Sequence, residues 1–172
     1  YKIIFDLYRG STMSCCPNKL HNDKNPSEET VLITGASTGI GFALAKKFLT
    51  EGYKVVITAH NIERLTEAQI QLNKLGYGHV EAIAQNLACM DGAQLLTDEL
   101  NQRDMKIDIL VNNAGFSVYG VFEQASWLET QQMLQLNVLS LTQLTRLLLP
   151  DMIARKSGKI LNLGSTGSFL PG

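Results

Sequence analysis

The sequence predicts an α/β domain built on a doubly wound parallel sheet. Short apolar runs alternate with amphipathic segments from Thr30 onward, and strands that are apolar throughout are typical of a parallel sheet with helices on both faces. Right-handed crossovers would place five such strands in the order 3-2-1-4-5. In sheets of this kind, ligands bind at the carboxyl ends of the strands, where the order reverses.

Five strands and four helices follow from the periodicity and the turn residues. The strands are predicted at 30–34, 54–58, 79–84, 108–111 and 159–163, and the helices at 39–50, 61–74, 91–102 and 126–155. Glycines mark several of the turns between them, as Gly52 does after the first helix. The segment 1–29, polar from Met13 to Glu29, is predicted to be a polar N-terminal lead-in.

Composition and charge favour a small-molecule partner. Apolar residues make up 45% of the 172 residues and charged residues 18%, the balance of a globular protein, and the net charge is only -1. Because lysines and arginines are scattered, we expect no nucleic-acid partner and no binding to an anionic membrane. Apolar runs are too short for a membrane span. Three cysteines, in neither a disulfide nor a metal-site pattern, indicate reduced thiols, no metal site and a cytoplasmic location.

The first strand runs directly into a glycine-rich turn, Thr34-Gly35-Ala36-Ser37-Thr38-Gly39-Ile40-Gly41, which opens the first helix. Glycine permits a tight turn and a close approach of the backbone to a ligand. The first amides of the helix and its dipole favour an anion. A turn needed only for packing is the alternative, but the position between the first strand and the first helix favours a phosphate cradle.

The spacing of Gly35, Gly39 and Gly41 resembles that of the short-chain dehydrogenases/reductases, and other motifs agree. Asn112-Asn113-Ala114-Gly115 follows the fourth strand, where that family has an NNAG turn beside the adenosine of its cofactor. The resemblance implies a Rossmann-type fold and a bound dinucleotide. Each motif also has a plainer explanation, such as asparagines that only satisfy loop backbone.

The same resemblance implies two residues near the chemistry. Asn137, on the long fourth helix, is similar to the family asparagine that helps anchor a proton-relay water, although it could instead cap a kink. Ser165, after the fifth strand, is similar to the serine that donates a hydrogen bond to the substrate oxygen, although it could be a simple turn hydroxyl. Residues 30–172 are therefore expected to form an incomplete NAD(P)-binding domain.

Two departures from the family pattern stand out. Asn86 occupies the position of an aspartate that accepts from the adenine amino group; an amide oxygen can still accept, and the Leu87 backbone remains available to the base. The family's Tyr-x-x-x-Lys pair is absent from these residues: none of the five tyrosines has a lysine four positions later. The tyrosine, which acts as the acid, and its lysine are expected beyond Gly172.

The preferred cofactor is predicted to be NADP rather than NAD. NAD-preferring members carry an acidic residue at the end of the second strand, where this chain has Ala59. His60 takes the place of the arginine that many NADP-preferring members have next, and a histidine is cationic only part of the time near neutral pH. Ser37 and Thr38 could also donate to a 2′-phosphate, and His60 could be a plain surface residue.

The resulting hypothesis is an oxidoreductase that transfers hydride between NADP(H) and a carbonyl or secondary alcohol. A non-catalytic dinucleotide-binding module, or the product of a truncated gene, is the alternative. Family members usually pair through the long helix, which implies a homo-oligomer. Ser165 and Asn137 are the predicted catalytic residues; the predicted cofactor-binding residues are Thr34, Gly35, Ser37, Thr38, Gly39, Ile40, Gly41, His60, Asn86, Leu87, Asn113, Ala114 and Gly115.

Overall fold

The structure is a computed structural model that describes residues 3–6 and 25–165. Its strands and α-helices, in chain order, are β1 Ile3–Asp6, β2 Thr30–Thr34, α1 Gly39–Thr50, β3 Lys54–Ala59, α2 Ile62–Asn73, β4 Val80–Ala84, α3 Gly92–Gln102, β5 Ile109–Asn112, α4 Trp127–Leu134, α5 Leu141–Ala154 and β6 Lys159–Asn162. Short 3₁₀ turns at Pro26–Glu28 and Phe122–Gln124 complete it. Among these described residues, no helix is long and apolar enough to cross a membrane.

The strands form one six-stranded sheet in the order β1-β6-β5-β2-β3-β4. The five strands β2 to β6 are parallel and confirm the predicted order 3-2-1-4-5. An edge strand was not anticipated: β1 pairs antiparallel with β6, with Ile3 opposite Asn162 and Asp6 opposite Lys159. The chain order reverses between β2 and β5, so the carboxyl ends of these two strands flank the expected ligand position.

Alternate residues of the central strands face two separate apolar layers. Val31 and Ile33 of β2 pack towards α1 and α2, whereas Leu32 packs towards α3 and α5. All three side chains are fully buried, as expected for a strand covered on both faces. Two layers of helices therefore fix the central strands rigidly, and with them the loops that leave their carboxyl ends.

The long helix is interrupted rather than uniform. A π-helical segment, Gln135–Ser140, joins α4 to α5 without a break in the chain direction. The predicted bounds of 126–155 agree with the combined element, but the change in helix type was not foreseen. A π turn inserts one extra residue per turn and is frequent at functional sites, and this one contains Asn137.

Candidate functional site

Two glycines of the loop between β2 and α1 adopt a left-handed backbone conformation. Gly35 has φ of 65° and Gly39 has φ of 59°, values that L side chains rarely adopt. A Cβ added at Gly35 would lie 2.8 Å from the Cα of Ala114, whereas a Cβ at Gly39 would meet nothing within 4 Å. Gly35 is thus required by a neighbouring loop, and Gly39 faces open space at the mouth of the cradle.

Gly41 is required by the loop's own packing. A Cβ at this position would lie 2.5 Å from the carbonyl oxygen of Gly35 and 2.5 Å from Nδ2 of Asn113. A substitution here would displace the loop even without a ligand, so the first interpretation, close approach to diphosphate, describes only part of the role of Gly41. Gly39 is the glycine at which a side chain would enter free space.

The amino end of α1 lacks a side-chain cap, as does that of α3, whereas α2 and α4 each have one. Thr38, its N-cap residue, makes no capping hydrogen bond with its side chain. In α2, by contrast, the N-cap Asn61 accepts from the backbone N–H of Arg64 at 2.8 Å. Uncapped amides carry the positive end of the helix dipole, so this end of α1 can bind an anion.

A hydroxyl joins the glycine loop to the turn after β5. Thr34 Oγ1 accepts from the backbone N–H groups of Asn113, at 3.0 Å, and of Ala114, at 2.9 Å, and donates to the carbonyl oxygen of Val111. The Asn113 side chain then donates from Nδ2 to the carbonyl oxygens of Thr34 and Gly35. We call this set of contacts the Thr34 brace; it fixes the two loops that flank the switch point.

The loop after β4 presents Asn86 and Leu87. Asn86 is exposed, and its Oδ1 accepts from the backbone N–H of Ala88 at 3.0 Å, which leaves its amide nitrogen and a second lone pair of the oxygen for other partners. Leu87 is buried, and its carbonyl oxygen accepts from Oγ of Ser140. Ser140 belongs to the π segment, so the long helix directly supports this loop.

The side chain of Asn137, which belongs to the π segment, also holds a loop. Its Oδ1 accepts from the backbone N–H of Phe116 at 3.2 Å, and its Nδ2 donates to the carbonyl oxygen of the same residue at 2.8 Å. A Cβ on Gly115 would lie 3.0 Å from Asn137 Oδ1, so the glycine lets the helix approach the turn. Both polar groups of the side chain are therefore engaged with the segment that follows Ala114.

Comparison with known proteins decides the family. The model of the short chain dehydrogenase family matches residues 29–172. The chain belongs to the short-chain dehydrogenase family. It is 38% identical, over 87% of its length, to an uncharacterized oxidoreductase of Bacillus subtilis, YvrD, of which it covers 56%. It is also 34% identical, over 83% of its length, to a probable NADP-dependent dehydrogenase of Haemophilus influenzae, of which it covers 55%.

Solved structures of family members agree with the fold. A short-chain dehydrogenase from Sphingobium yanoikuyae in complex with NADPH has a TM-score of 0.76 and 34% identity, over 83% of this chain and 56% of that one. A metagenomic short-chain oxidoreductase in complex with NADP has a TM-score of 0.78 and 32% identity, over 87% of this chain and 66% of that one. The chain therefore spans roughly half to two thirds of these relatives.

Within this short-chain dehydrogenase domain, the remaining candidate residues lie along the same edge of the sheet. Ile40 is exposed in the first turn of α1, and His60 is exposed directly after β3. Ser165 is exposed and follows the carboxyl end of β6, and it is the last of the described residues. In residues 3–6 and 25–165, no group of three or more His, Cys, Asp or Glu side chains could hold a metal ion.

Sequence reasoning missed three features of the site. Thr34 is buried and acts between protein loops, a role that its place in a glycine motif does not reveal. Ser140 carries no motif signal, because its partner Leu87 is 53 residues away. Arg64 lines a cavity together with Ser37 and Thr38; a cation in the first turn after the second predicted strand was the signal that could have found it.

Proposed function

We propose that the protein is an oxidoreductase that transfers hydride between NADP(H) and a carbonyl or secondary alcohol. One observation carries the proposal: the uncapped amino end of α1 faces the open space at Gly39, at the switch point of a doubly wound sheet. An anionic diphosphate fits that position because the amides can donate to it and no Cβ obstructs it. The names of the relatives supply the reaction class, since they are dehydrogenases and oxidoreductases.

Different residues of the site would bind different parts of the cofactor. The amides from Ser37 to Gly41 would hold the diphosphate, since the Ala36 N–H donates to the carbonyl oxygen of Thr58. Asn86, Leu87 and Ala114 would surround the adenine. When bound, the nicotinamide ring supplies or accepts the hydride. The Thr34 brace keeps both loops at the spacing that this requires, because two backbone N–H groups share one buried hydroxyl.

Ser165 and Asn137 are the residues that we assign to the substrate side of the site. A serine hydroxyl at the end of β6 can donate to a carbonyl oxygen on which negative charge develops. Asn137 would position rather than react, since its amide atoms hold the backbone of Phe116. Neither side chain is an acid that releases a proton near neutral pH. These residues therefore orient a substrate whose proton comes from another group.

A pair of glycine substitutions tests the cofactor assignment. Gly39 and Gly76 both have positive φ, and a Cβ on either meets nothing within 4 Å. Replacing either by alanine therefore costs a similar strain, about 1–2 kcal/mol. We expect Gly39→Ala in the intact protein to weaken NADPH binding more than about tenfold, because its Cβ enters the diphosphate space, and Gly76→Ala to leave it unchanged. Fluorescence titration measures both constants.

The outcomes separate the alternatives. Equal NADPH affinity in the two variants would refute the cradle. NADPH binding by the wild type without turnover of any substrate in a panel of ketones, aldehydes and secondary alcohols would favour a non-catalytic dinucleotide-binding protein instead.

Assembly and compartment complete the proposal. The long helix exposes large apolar side chains, with 67% of Trp127, 63% of Leu128 and 56% of Leu139 accessible, and such surface is typical of a protein interface. We infer a homo-oligomer that pairs through this helix. A cytoplasmic location fits the exposed free thiol of Cys89, because thiols persist in reducing compartments. Light scattering of the intact protein and of Trp127→Glu tests the assembly: a wild-type monomer would refute it.

A further inference from the structure

A second, smaller cavity lies beside the glycine loop, between α1 and α2. It has a volume of about 290 Å³ and is lined by Ser37 and Thr38 from the loop, by Phe42 from α1, and by Arg64, Glu67, Ala68 and Gln71 from α2. This is room for a phosphate group and several water molecules, each of which occupies about 30 Å³ in the liquid. His60 is not among the residues that line the cavity.

We propose that Arg64, and not His60, is the cation that holds the 2′-phosphate of the cofactor, with Ser37 and Thr38 donating from the opposite wall. The inference rests on the proposed function, since it concerns one part of the same dinucleotide. The cavity joins the cradle through Ser37 and Thr38, which belong to both. A ribose phosphate next to the diphosphate would therefore lie in the cavity that Arg64 lines.

The orientation of Arg64 follows from how α2 is built. Leu65 and Leu72 are buried in the core. The positions at 64, 67 and 71 share a different face of the helix, with spacings of three, four and seven residues, and Ala68 lies at the edge of that face, where it also lines the cavity. That face shares the cavity with Ser37 and Thr38 of the loop before α1. The Asn61 side chain caps the first turn by accepting from the backbone N–H of Arg64. This contact fixes the backbone position from which the Arg64 side chain extends.

Charge also favours an anion at this position. Within residues 25–165, the ion pairs do not include Arg64. A cation in the first turn of a helix is unfavourable because it opposes the positive end of the dipole. A doubly charged phosphate would neutralise Arg64 and interact well with the same helix end. Arginine is always charged and offers a planar set of five donors that matches phosphate, whereas histidine offers neither.

Glu67 provides an internal check on the assignment. Glu67 lines the same cavity one turn further along α2, so its negative charge would repel a 2′-phosphate held there. If Arg64 binds the phosphate, removing this negative charge must strengthen NADPH binding while leaving NADH binding unchanged. A phosphate held instead near His60, outside the cavity, would not respond to Glu67 in this way.

The test compares two cofactors in four variants of the intact protein. Dissociation constants for NADPH and NADH are measured by fluorescence titration for wild type, Arg64→Gln, Arg64→Lys, His60→Gln and Glu67→Gln. We expect Arg64→Gln to weaken NADPH binding about tenfold, the lower range for one charge-assisted contact at an exposed site, and NADH binding less than about twofold. Arg64→Lys should fall between wild type and Arg64→Gln, because it keeps the charge and loses the fork.

The two control variants have different expected results. His60→Gln should change NADPH affinity less than about twofold, and Glu67→Gln should increase it by about twofold to threefold, as expected for one exposed charge. Competition by adenosine 2′,5′-bisphosphate, compared with adenosine 5′-phosphate, isolates the 2′-phosphate contribution and should lose its advantage only in Arg64→Gln.

Three results would overturn the assignment. Unchanged NADPH affinity in Arg64→Gln would exclude the contact. An equal loss for NADPH and NADH would show a structural effect of the substitution. A larger loss in His60→Gln than in Arg64→Gln would return the role to His60. Failure of the wild type to bind either cofactor would overturn the proposed function together with this inference, which distinguishes it from the other three.

Discussion

Replacing Thr34 by valine removes one hydroxyl and keeps the shape of the side chain. Thr34 is 2% exposed, and its oxygen is the acceptor for two backbone N–H groups, those of Asn113 and Ala114. A donor left without a partner costs about 1–3 kcal/mol when buried. Because both of these residues are only part-buried, water can reach them, and we expect a loss of about 2–4 kcal/mol of the free energy of unfolding.

That loss is a large share of the total stability of a domain, which is about 5–15 kcal/mol. Thr34→Ser is the matched control, since it keeps the acceptor and loses one methyl group, at a cost of about 1 kcal/mol. Urea denaturation of the intact protein measures both values, and NADPH titration should show weaker binding only for valine. Equal unfolding midpoints for the two variants would refute the reasoning, because the hydroxyl would then not join the loops.

Three further predictions concern cofactor choice, alkaline stability and activity. Ala59→Asp should shift the ratio of NADPH to NADH affinity towards NADH by repelling a 2′-phosphate, and Ala59→Asn, of equal size but uncharged, should not; cofactor titration of both decides this. Burial, with the negative charges of Glu29 and Glu51, raises the pKa of Tyr53 above its ordinary value of 10.0. As pH rises, the Tyr53 hydroxyl therefore loses its proton at a lower pH in the unfolded chain than in the folded protein. Stability should therefore fall as pH rises above about 10, and urea midpoints between pH 9 and 11 should fall less in Tyr53→Phe. The 172 residues alone, which contain no Tyr-x-x-x-Lys, should not oxidise NADPH with a carbonyl panel above a heat-killed control, and measurable turnover would mean that another residue supplies the proton.

Local patterns were sufficient for most of the secondary structure. β2 and α1 have the predicted bounds, Thr30–Thr34 and Gly39–Thr50, because a short apolar run and a glycine turn determine where each begins. The pairing of Ile3–Asp6 with β6 was not predictable in this way. This pairing depends on backbone hydrogen bonds to a strand more than 150 residues later. A segment of four residues is too short to show a periodicity that predicts a strand.

The site shows the same limit at the level of single side chains. The motif around Asn113 predicted a loop beside the cofactor, and the structure shows that the Asn113 amide holds the glycine loop, a contact that the motif did not predict. The π turn at Asn137 was hidden because one extra residue in a helical turn barely alters an apolar pattern of 3.6 residues. Hydrogen bonds between distant loops depend on how the strands pack in the sheet, and the spacing of residues in the sequence does not predict them.

The Thr34 brace also has a consequence for synthesis of the protein. Its two halves lie 79 and 80 residues apart in the chain, and a ribosome adding about 5–20 residues per second needs about 4–16 s to bridge that interval. During this time the glycine loop has emerged without the turn that holds it. The proposed nucleotide site is therefore complete only after β5 has joined β2, so assembly of the centre of the sheet precedes assembly of the site.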